Sequence, residues 1–199
     1  MEQIFKFRGI DMPCIAEVLT DNAEGITYGE VIDFAPAVEI GRTTSSDSAV
    51  SYGNNKPLII VRTEGNDEIA VSCFGLSLEL LAKITGKTFD TSKGAFIDHL
   101  GNVVYFAFGY REKLTNGKYR YNWRLKGTFS IPAENSATED DGTESVGQDL
   151  TYTGIFTTHE FVNGGSAKGV VVDTQYEGAN VTDFFTEPVT PDTLKSKAV

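Results

Sequence analysis

The fold is decided by an alternating stretch in the middle of the chain, which reads TNGKYRYNWRLKGTFSIP over residues 115–132. Asn116-Gly117 is the preferred pair for a two-residue type I′ turn, so the stretch predicts a β-hairpin that turns there. After the turn, apolar and polar side chains alternate with a period of two as far as Ile131, which is typical of a long, half-buried antiparallel strand. We therefore expect the rest of the fold to be built around this hairpin.

The two faces of the predicted hairpin differ in chemistry. Counting outward from a two-residue turn places Tyr110 opposite Trp123, and a slip of one residue would bring Trp123 into water and Arg124 into the core. The apolar face carries the core candidates Tyr119, Tyr121, Trp123, Leu125 and Phe129. The opposite face carries the basic residues Arg111, Lys113, Lys118, Arg120, Arg124 and Lys126. We expect this basic face to be exposed and to meet acidic stretches of another copy of the protein.

Short apolar runs separated by turn residues continue along the chain, a pattern typical of a β-sandwich or barrel. The predicted strands cover residues 14–20, 26–34, 37–43, 58–63, 68–74, 103–114, 118–131, 150–157, 169–176 and, more weakly, 180–186. One helix is predicted over about 77–85, with Ser77 as its N-cap and Gly86 as its C-terminal stop. We expect a mostly β single domain over residues 1–199, an antiparallel β-sandwich or half-barrel with one short flanking helix.

Two polar segments are predicted as long loops. Residues 41–57 are rich in Ser, Thr and Asn and are long for a connection inside a compact domain, so we expect an extended loop there. Residues 133–147 form a second loop, which is acidic and nearly free of apolar side chains. Its acids are Glu134, Glu139, Asp140, Asp141 and Glu144. The composition of residues 187–199 leaves open whether they are ordered or flexible.

The charge balance limits the partners that we expect. The formal net charge is −11 and the pI is near 4.6, which argues against a main affinity for nucleic acid or an anionic membrane. Residues 58–132 nevertheless carry 10 bases and 7 acids, a local excess that the basic face explains. Cys14 and Cys73 have apolar neighbours and are predicted to be free, buried thiols. The sequence shows no secretory signal and no apolar run of membrane-spanning length, so we expect synthesis and retention in the cytoplasm.

No motif nominates a catalytic or cofactor site. His99 and His159 stand in no metal-ligand spacing, and the sequence has neither a phosphate-binding glycine loop nor a nucleophile elbow. The acidic run at 139–144 lacks the alternating spacing of a calcium loop, so a solvated loop is favoured over a calcium site. We expect no enzyme activity, no cofactor and no metal. The enzyme alternative left open is a carboxylate pair that meets only in the fold.

Three segments together resemble the major tail (tail tube) proteins of long, non-contractile-tailed phages and prophages of Gram-positive bacteria. Residues 115–132 resemble the hairpin of that family, AEGITYG at 23–29 resembles its early turn, and LSLELLAKITG at 76–86 resembles its helix. Their order and spacing agree over about residues 10–160, and the match ends near Asn163.

The resemblance implies a subunit that assembles with copies of itself. Six copies would close into a ring, and stacked rings would form the tube through which phage DNA passes without specific binding. Residues 41–57 would be the arm that reaches a neighbouring ring, with Arg42, Asp47, Val50 and Tyr52 as its contact residues. The other partners implied are further tail proteins (tape measure, tail completion and baseplate). The implied location is the virion, after assembly in the host cytoplasm, with no membrane partner.

Two observations from the residues suit this family. Long strands with exposed edges are an aggregation liability in a monomer, and closure into a ring pairs those edges. An acidic wall also repels DNA, which carries about one negative charge per 1.7 Å of helix axis, and so avoids holding it during transit.

A function of another class rests on the same hairpin. A cytoplasmic β-sandwich binding module would use the basic face at 111–126 to bind an acidic partner or nucleic acid. The aromatic residues lie on the opposite face of the predicted strand, where they cannot stack on bases. Nucleic acid is therefore the weaker of these two partners.

Overall fold

The structure is a computed structural model that describes residues 4–133 and 147–197. Those ranges contain one helix, α1 (Leu78–Thr85), and ten strands. The strands are β1 (Phe7–Asn22), β2 (Gly25–Asp33), β3 (Ala37–Gly53), β4 (Lys56–Cys73), β5 (Thr88–Asp90), β6 (Ala95–Ile97), β7 (Phe106–Leu114), β8 (Tyr119–Phe129), β9 (Gln148–Gly154) and β10 (Gly169–Asp173).

Eight of the strands form one antiparallel sheet. Its order is β2–β1–β7–β8–β9–β4–β3, and β10 joins it as a further partner of β8. Residues 120–124 of β8 pair with β10, whereas residues 127–129 pair with β9. The sheet curls until β3, at one edge, contacts β1, which lies next to the other edge. The predicted fold class, a mostly β antiparallel sandwich or half-barrel with one short helix, is confirmed.

Two hydrophobic cores lie on the two faces of this sheet. The first core lies between the sheet and α1 and consists of Ile15, Phe34, Ile69, Val71, Cys73, Ile84, Phe106, Phe108, Tyr110, Phe129, Leu150 and Tyr152. The second core lies between the sheet and the C-terminal part of the chain and consists of Cys14, Ala107, Trp123, Leu125, Phe161, Val170, Val172 and Phe184. Because β1, β7 and β8 contribute to both cores, the middle of the sheet is buried on both faces.

The β7–β8 hairpin turns differently from the prediction. Gly117 has a positive φ of 80°, and its N–H donates to the Leu114 carbonyl at 3.1 Å. The loop therefore has three residues, 115–117, a type I turn followed by a glycine bulge rather than the predicted type I′ pair. The pairing shifts by one residue, so Trp123 lies opposite Gly109. A Cβ at Gly109 would lie 2.9 Å from the Trp123 ring, so this glycine makes room for the indole.

A β-bulge breaks the alternation that the sequence predicts along β8. Relative to β7, β8 has one extra residue at 125–126. The extra residue reverses the faces to which the following side chains point. Trp123 therefore packs in the second core and Phe129 in the first, so the prediction of a single apolar face over this strand was wrong.

Residues 41–57 are paired strands rather than the predicted loop. β3 and β4 pair along their whole length in one hairpin, which turns at Asn54-Asn55. Both turn residues have a positive φ, 51° and 61°, so the type I′ turn predicted at 116–117 occurs here instead. β3 has the Ser- and Thr-rich composition of a loop, and its extended conformation comes from cross-strand hydrogen bonds rather than from burial.

The helix lies at the opposite end of β4 from that turn. The side chain of Ser77 accepts a hydrogen bond from the Leu80 N–H at 3.2 Å, and Gly86 ends the helix at a φ of 63°, which confirms both predicted caps. The last residue of β4, Cys73, pairs with the first residue of β9, Gln148. The end of β4, the start of β9 and the helix therefore meet at one end of the sheet.

The C-terminal part of the chain packs over the second core. Phe184 is buried in this core, Val189 packs against it, and the Lys197 N–H donates to the Gly178 carbonyl at 3.1 Å. Residues 187–197, whose order the sequence left open, are thus held by the fold. Residues 180–186 are turns rather than the weak strand that the sequence predicted.

Both cysteines are free and buried, as predicted. Burial raises the pKa of the Cys14 thiol to about 12. In the part of the chain that the structure describes, no helix is long and apolar enough to cross a bilayer.

Candidate assembly site

The arm is the outer part of the β3–β4 hairpin, residues 45–65. β9 pairs with β4 only from Asp67 onward and β3 is an edge strand, so no third strand of the described residues lies beside the arm. Every side chain that is described in the arm is exposed. With roughly ten residues in each strand, the arm extends about 30 Å beyond the three-stranded part, at about 3.3 Å per residue.

Apolar side chains lie on both faces of the arm. The run 58–61 consists of Leu58, Ile59, Ile60 and Val61, which are 68%, 59%, 70% and 52% exposed. Neighbouring strand residues point to opposite faces, so this run places two apolar side chains on each face. Two-stranded hairpins are marginally stable in water, and monomeric proteins rarely expose an apolar patch of this kind. The arm is therefore a candidate contact surface.

The root of the arm is held by a buried carboxylate, Asp67, which is 0% exposed. Its Oδ1 accepts hydrogen bonds from Lys168 Nζ at 2.9 Å and from Thr44 Oγ1 at 2.8 Å. Its Oδ2 accepts from Nη1 of Arg42 and from Nη1 of Arg124, both at 3.3 Å. The carboxylate thus joins β3, β4, β8 and the residue just before β10.

The same network continues through Lys168. Its Nζ lies 2.5 Å from Oε1 of Glu64 and 2.9 Å from the carbonyl oxygen of Gly65, both at the base of the arm. Burial lowers the pKa of Lys168, but the hydrogen bonds and charges of Glu64 and Asp67 outweigh burial and raise it overall. Lys168 therefore remains a cation that fixes the arm to the C-terminal part of the chain.

Asp67 remains an anion for a parallel reason. Burial raises the pKa of its carboxyl, but hydrogen bonds from Lys168 and Thr44, together with the charge of Arg124, outweigh burial and lower it overall. Removal of this carboxylate would leave the buried Arg124 without its counter-charge, which is strongly destabilising, whereas Lys168 would keep Glu64. The network therefore ties the base of the arm to β8 and to the C-terminal part of the chain.

The structure divides the predicted arm residues between the arm and its root. Asp47, Val50 and Tyr52 lie on the arm, and the Tyr52 side chain is 73% exposed. Arg42 lies at the root, where it binds Asp67. The run 58–61 was not predicted as part of the arm, because these residues were placed in a separate strand over 58–63. The sequence did contain a signal for a different role of this run, namely four consecutive apolar residues. A strand that buries only one face alternates apolar and polar residues instead.

The six basic residues of the predicted hairpin face do not form one exposed surface. Lys113 and Lys118 are exposed. The others pair with acids of the same chain: Arg111 with Asp11 at 2.6 Å, Arg120 with Asp173 at 2.9 Å, Arg124 with Asp67 at 3.3 Å and Lys126 with Asp21 at 2.5 Å. The expectation of one free cationic face was therefore wrong.

The shifted pairing explains the position of Arg111, and the covering of both faces of the sheet explains the burial of Arg124. Arg111 lies opposite Tyr121, and its guanidinium carbon lies 4.5 Å from the centre of the Tyr119 ring, on the aromatic face of the hairpin. Arg124 lies opposite Phe108 and so faces the side of the first core. A shift of one residue moves side chains from one face to the other.

Two of the paired acids also have lowered pKa values. Burial raises the pKa of Asp21, but hydrogen bonds from Lys126 and from the Thr158 and His159 N–H groups outweigh burial. Burial likewise raises the pKa of Asp173, but hydrogen bonds from the Gln175 N–H and from Arg120 outweigh it. These carboxylates are bound as anions in the folded protein.

The predicted turn and core residues of the hairpin are tied to the C-terminal part of the chain. The Nε1–H of Trp123 donates to the Phe184 carbonyl at 2.8 Å, and Trp123 is 0% exposed. At the turn, Nδ2 of Asn116 donates to Oε1 of Gln175 at 2.8 Å. The hairpin therefore holds the C-terminal part of the chain against the sheet.

The predicted acidic loop falls outside the described residues. Its acids there are Glu134, Glu139, Asp140, Asp141 and Glu144. Across residues 4–133 and 147–197, no group of three or more His, Cys, Asp and Glu residues is placed to hold a metal ion.

No protein-family model matches the chain, and no curated protein matches it either.

Proposed function

We propose that the chain is a structural subunit of a phage virion, a major tail tube protein of a long, non-contractile tail. In this proposal, six copies close into a ring and the rings stack into the conduit through which DNA is ejected. The subunit has no enzymatic role, and its partners are further copies of itself and other tail proteins such as the tape measure, tail completion and baseplate proteins.

The arm is the observation that carries this proposal. A two-stranded hairpin whose apolar side chains are exposed on both faces receives little stabilisation from packing within a monomer. Its apolar run 58–61 is exposed and so is available to another chain. Such an arm suits a subunit that binds further copies of itself.

The free edges of the sheet give a second, independent support. β2 and β3 are the two ends of the strand order, so each has one side without a hydrogen-bonded neighbour in the described sheet. Unpaired strand edges attract further strands, and closure of copies into a ring is one way in which proteins cover them.

The charge of the chain suits a conduit. A formal net charge of −11 repels the phosphates of DNA, so a wall built from such subunits lets DNA pass without holding it. This step is tested by replacing exposed acids in pairs with Lys and following DNA ejection at low salt. Slower ejection for the variants that face the lumen is the expected result, and unchanged ejection for every pair would refute the role of charge.

Electron microscopy of the full chain tests the proposal directly. Concentrated protein in negative stain should form tubes or six-fold rings, and light scattering after gel filtration should show masses that rise with concentration. Particles that stay monomeric at every concentration would overturn the proposal.

A variant with a shortened arm tests the observation on which the proposal rests. Ser48 and Arg62 pair directly, so residues 49–61 can be replaced by an Asn-Gly turn without loss of the root. We expect a folded monomer that makes no tubes, whereas Ser51→Ala, an exposed polar change on the same arm, should leave assembly intact. Normal tubes from the shortened variant would remove the arm from the mechanism.

The rival function, a binding module that uses the basic face at 111–126, receives no support from the geometry. Arg124, at the centre of that face, is buried, and three further bases are paired within the chain.

A further inference from the structure

The sequence contains the pair Asn-Gly twice, and the structure holds the two pairs differently. Asn116-Gly117 lies in the turn between β7 and β8, and Asn163-Gly164 lies in a short loop between β9 and β10. An asparagine before glycine is prone to deamidation, because glycine has no Cβ to keep its backbone nitrogen away from the asparagine side chain. The contacts around each pair therefore decide how readily it reacts.

The first pair is held by hydrogen bonds on every reacting group. Nδ2 of Asn116 donates to Oε1 of Gln175 at 2.8 Å, and its Oδ1 accepts from the Lys118 N–H at 3.1 Å. The Gly117 N–H donates to the Leu114 carbonyl at 3.1 Å. The side-chain amide and the glycine nitrogen must both leave these partners before they can meet, which slows the reaction.

The second pair is open. The Asn163 side chain is exposed, and among the described residues neither its amide group nor the Gly164 N–H has a hydrogen-bond partner. Gly164 has a φ of 133°, and a Cβ at this position would meet nothing within 4 Å. No contact of the described residues therefore keeps the Gly164 nitrogen from the Asn163 side chain.

The loop that contains this pair is tied to the C-terminal part of the chain. Phe161 and Gly165 close the loop by two backbone hydrogen bonds, both of 3.0 Å. The carboxylate of Asp192 accepts from the N–H of Val162 at 3.1 Å and from that of Asn163 at 3.0 Å. Asn163 is thus part of a contact that holds the C-terminal part of the chain.

We propose that Asn163 is a site of spontaneous deamidation and that its products weaken this contact. The Gly164 nitrogen loses its proton and attacks Cγ of Asn163, the bond from Cγ to the side-chain nitrogen breaks, and that nitrogen takes up a proton and leaves as ammonia. Water then opens the resulting cyclic imide at one of its two carbonyl groups. The products are aspartate and isoaspartate, and neither oxidation nor reduction takes place.

Both products change the contact with Asp192. Each places a new carboxylate beside the carboxylate of Asp192, and like charges at short range repel. Isoaspartate also routes the main chain through the side chain, which lengthens by one carbon a loop whose ends are fixed at Phe161 and Gly165. The C-terminal part of the chain is therefore held less firmly in older copies of the protein. This modification does not depend on the tail tube function.

Mass spectrometry of the aged full chain tests the reaction. The protein is kept for several days in warm, mildly alkaline buffer and digested with trypsin, which separates the two pairs into peptides 114–118 and 127–168. Conversion at Asn163 should exceed conversion at Asn116 at least about tenfold, since the hydrogen bonds of the first pair must open. Asn163→Gln should give no conversion at this position, because its longer side chain does not form the five-membered imide. Equal conversion at the two pairs, or none at Asn163, would overturn the proposal.

Hydrogen exchange tests the consequence for the fold. Asn163→Asp reproduces one product, and residues 187–197 should exchange their amide hydrogens at least about threefold faster than in the parent, because local opening becomes easier. Asn54→Asp is the matched control, since it adds the same charge at the exposed turn of the arm and should leave exchange over 187–197 unchanged. Exchange in Asn163→Asp that equals the parent's would overturn the proposed weakening of the contact.

Discussion

Two antiparallel hairpins, β7–β8 and β3–β4, use their apolar side chains in opposite ways. In β7–β8, Phe108 and Trp123 are both 0% exposed, and the strands are covered on both faces. In the arm of β3–β4, Ile60 is 70% exposed, and neither face is covered. Both hairpins therefore carry large apolar side chains. The elements that pack against each hairpin decide whether these side chains form a core or a contact surface.

The buried and the exposed side chains of the two hairpins should affect different properties, the stability of the monomer and the assembly of copies. Truncation of a buried side chain removes packing from the folded monomer, whereas truncation of an exposed one leaves the monomer almost unchanged. We therefore expect substitutions in β7–β8 to change the free energy of unfolding, and substitutions in the arm to change the association of copies.

The largest contrast is expected between Phe108→Ala and Ile60→Ala. Phe108 packs against Phe34, Phe129 and Tyr152 in the first core, so its loss should cost about 3–5 kcal/mol of unfolding free energy. Ile60→Ala should change it by less than about 0.5 kcal/mol. Urea titrations followed by Trp123 fluorescence measure both. A large loss in Ile60→Ala would mean that the arm packs on its own monomer.

A loss of about 3 kcal/mol is expected for Asp67→Asn, because the amide leaves the buried Arg124 without its counter-charge. Asp47→Asn, an exposed acid on the arm, is the control and should unfold like the parent. Equal urea midpoints for the two variants would show that the root contributes nothing to the fold.

Acid should weaken the folded state through Asp21, Asp67 and Asp173, whose pKa values are all lowered by folding. Their contribution is fully present above the unfolded pKa of about 3.9 and is lost as the pH falls through the lower folded values. Urea midpoints measured at pH 6, 4, 3 and 2 should fall mainly below pH 4. The decline should be shallower in Asp67→Asn, and a midpoint that does not fall between pH 6 and pH 2 would contradict the ion pairs.

The smallest expected change in unfolding free energy comes from substitutions in the two turns. Gly117→Ala forces alanine into a positive φ of 80° with no steric contact at Cβ, and should cost about 1–2 kcal/mol. Asn55→Ala makes a similar demand at a φ of 61°, but should hardly change global unfolding because the arm can open locally. Similar losses in both variants would indicate that the arm unfolds together with the sheet.

The sequence predicted the elements whose signals are local. The caps of α1 at Ser77 and Gly86, the buried thiols and most strands of the sheet follow from spacing and composition within a few residues. The position of the bulge at 125–126 does not, because period-two alternation continues through it and only the packing of two cores requires it. Trp123 and Phe129 were therefore placed on one face.

The candidate site was predicted only in part. Asp47, Val50 and Tyr52 were placed on an arm, but its pairing as a hairpin was not predicted. The backbone hydrogen bonds of that pairing leave no signal in the sequence, because the polar composition of β3 resembles that of a loop. The root depends on Asp67 and Lys168, which are 101 residues apart, and no local pattern connects them.

That separation has a consequence for synthesis. Ribosomes add about 5–20 residues per second, so roughly 5–20 s pass between the translation of Asp67 and that of Lys168. During this interval the nascent chain has the sequence of the arm but lacks the cation that fixes its base, and β9, the partner of β4, also arrives late. Premature termination before residue 168 leaves the root incomplete. Translation through Lys168 is therefore a condition for a fixed base of the arm.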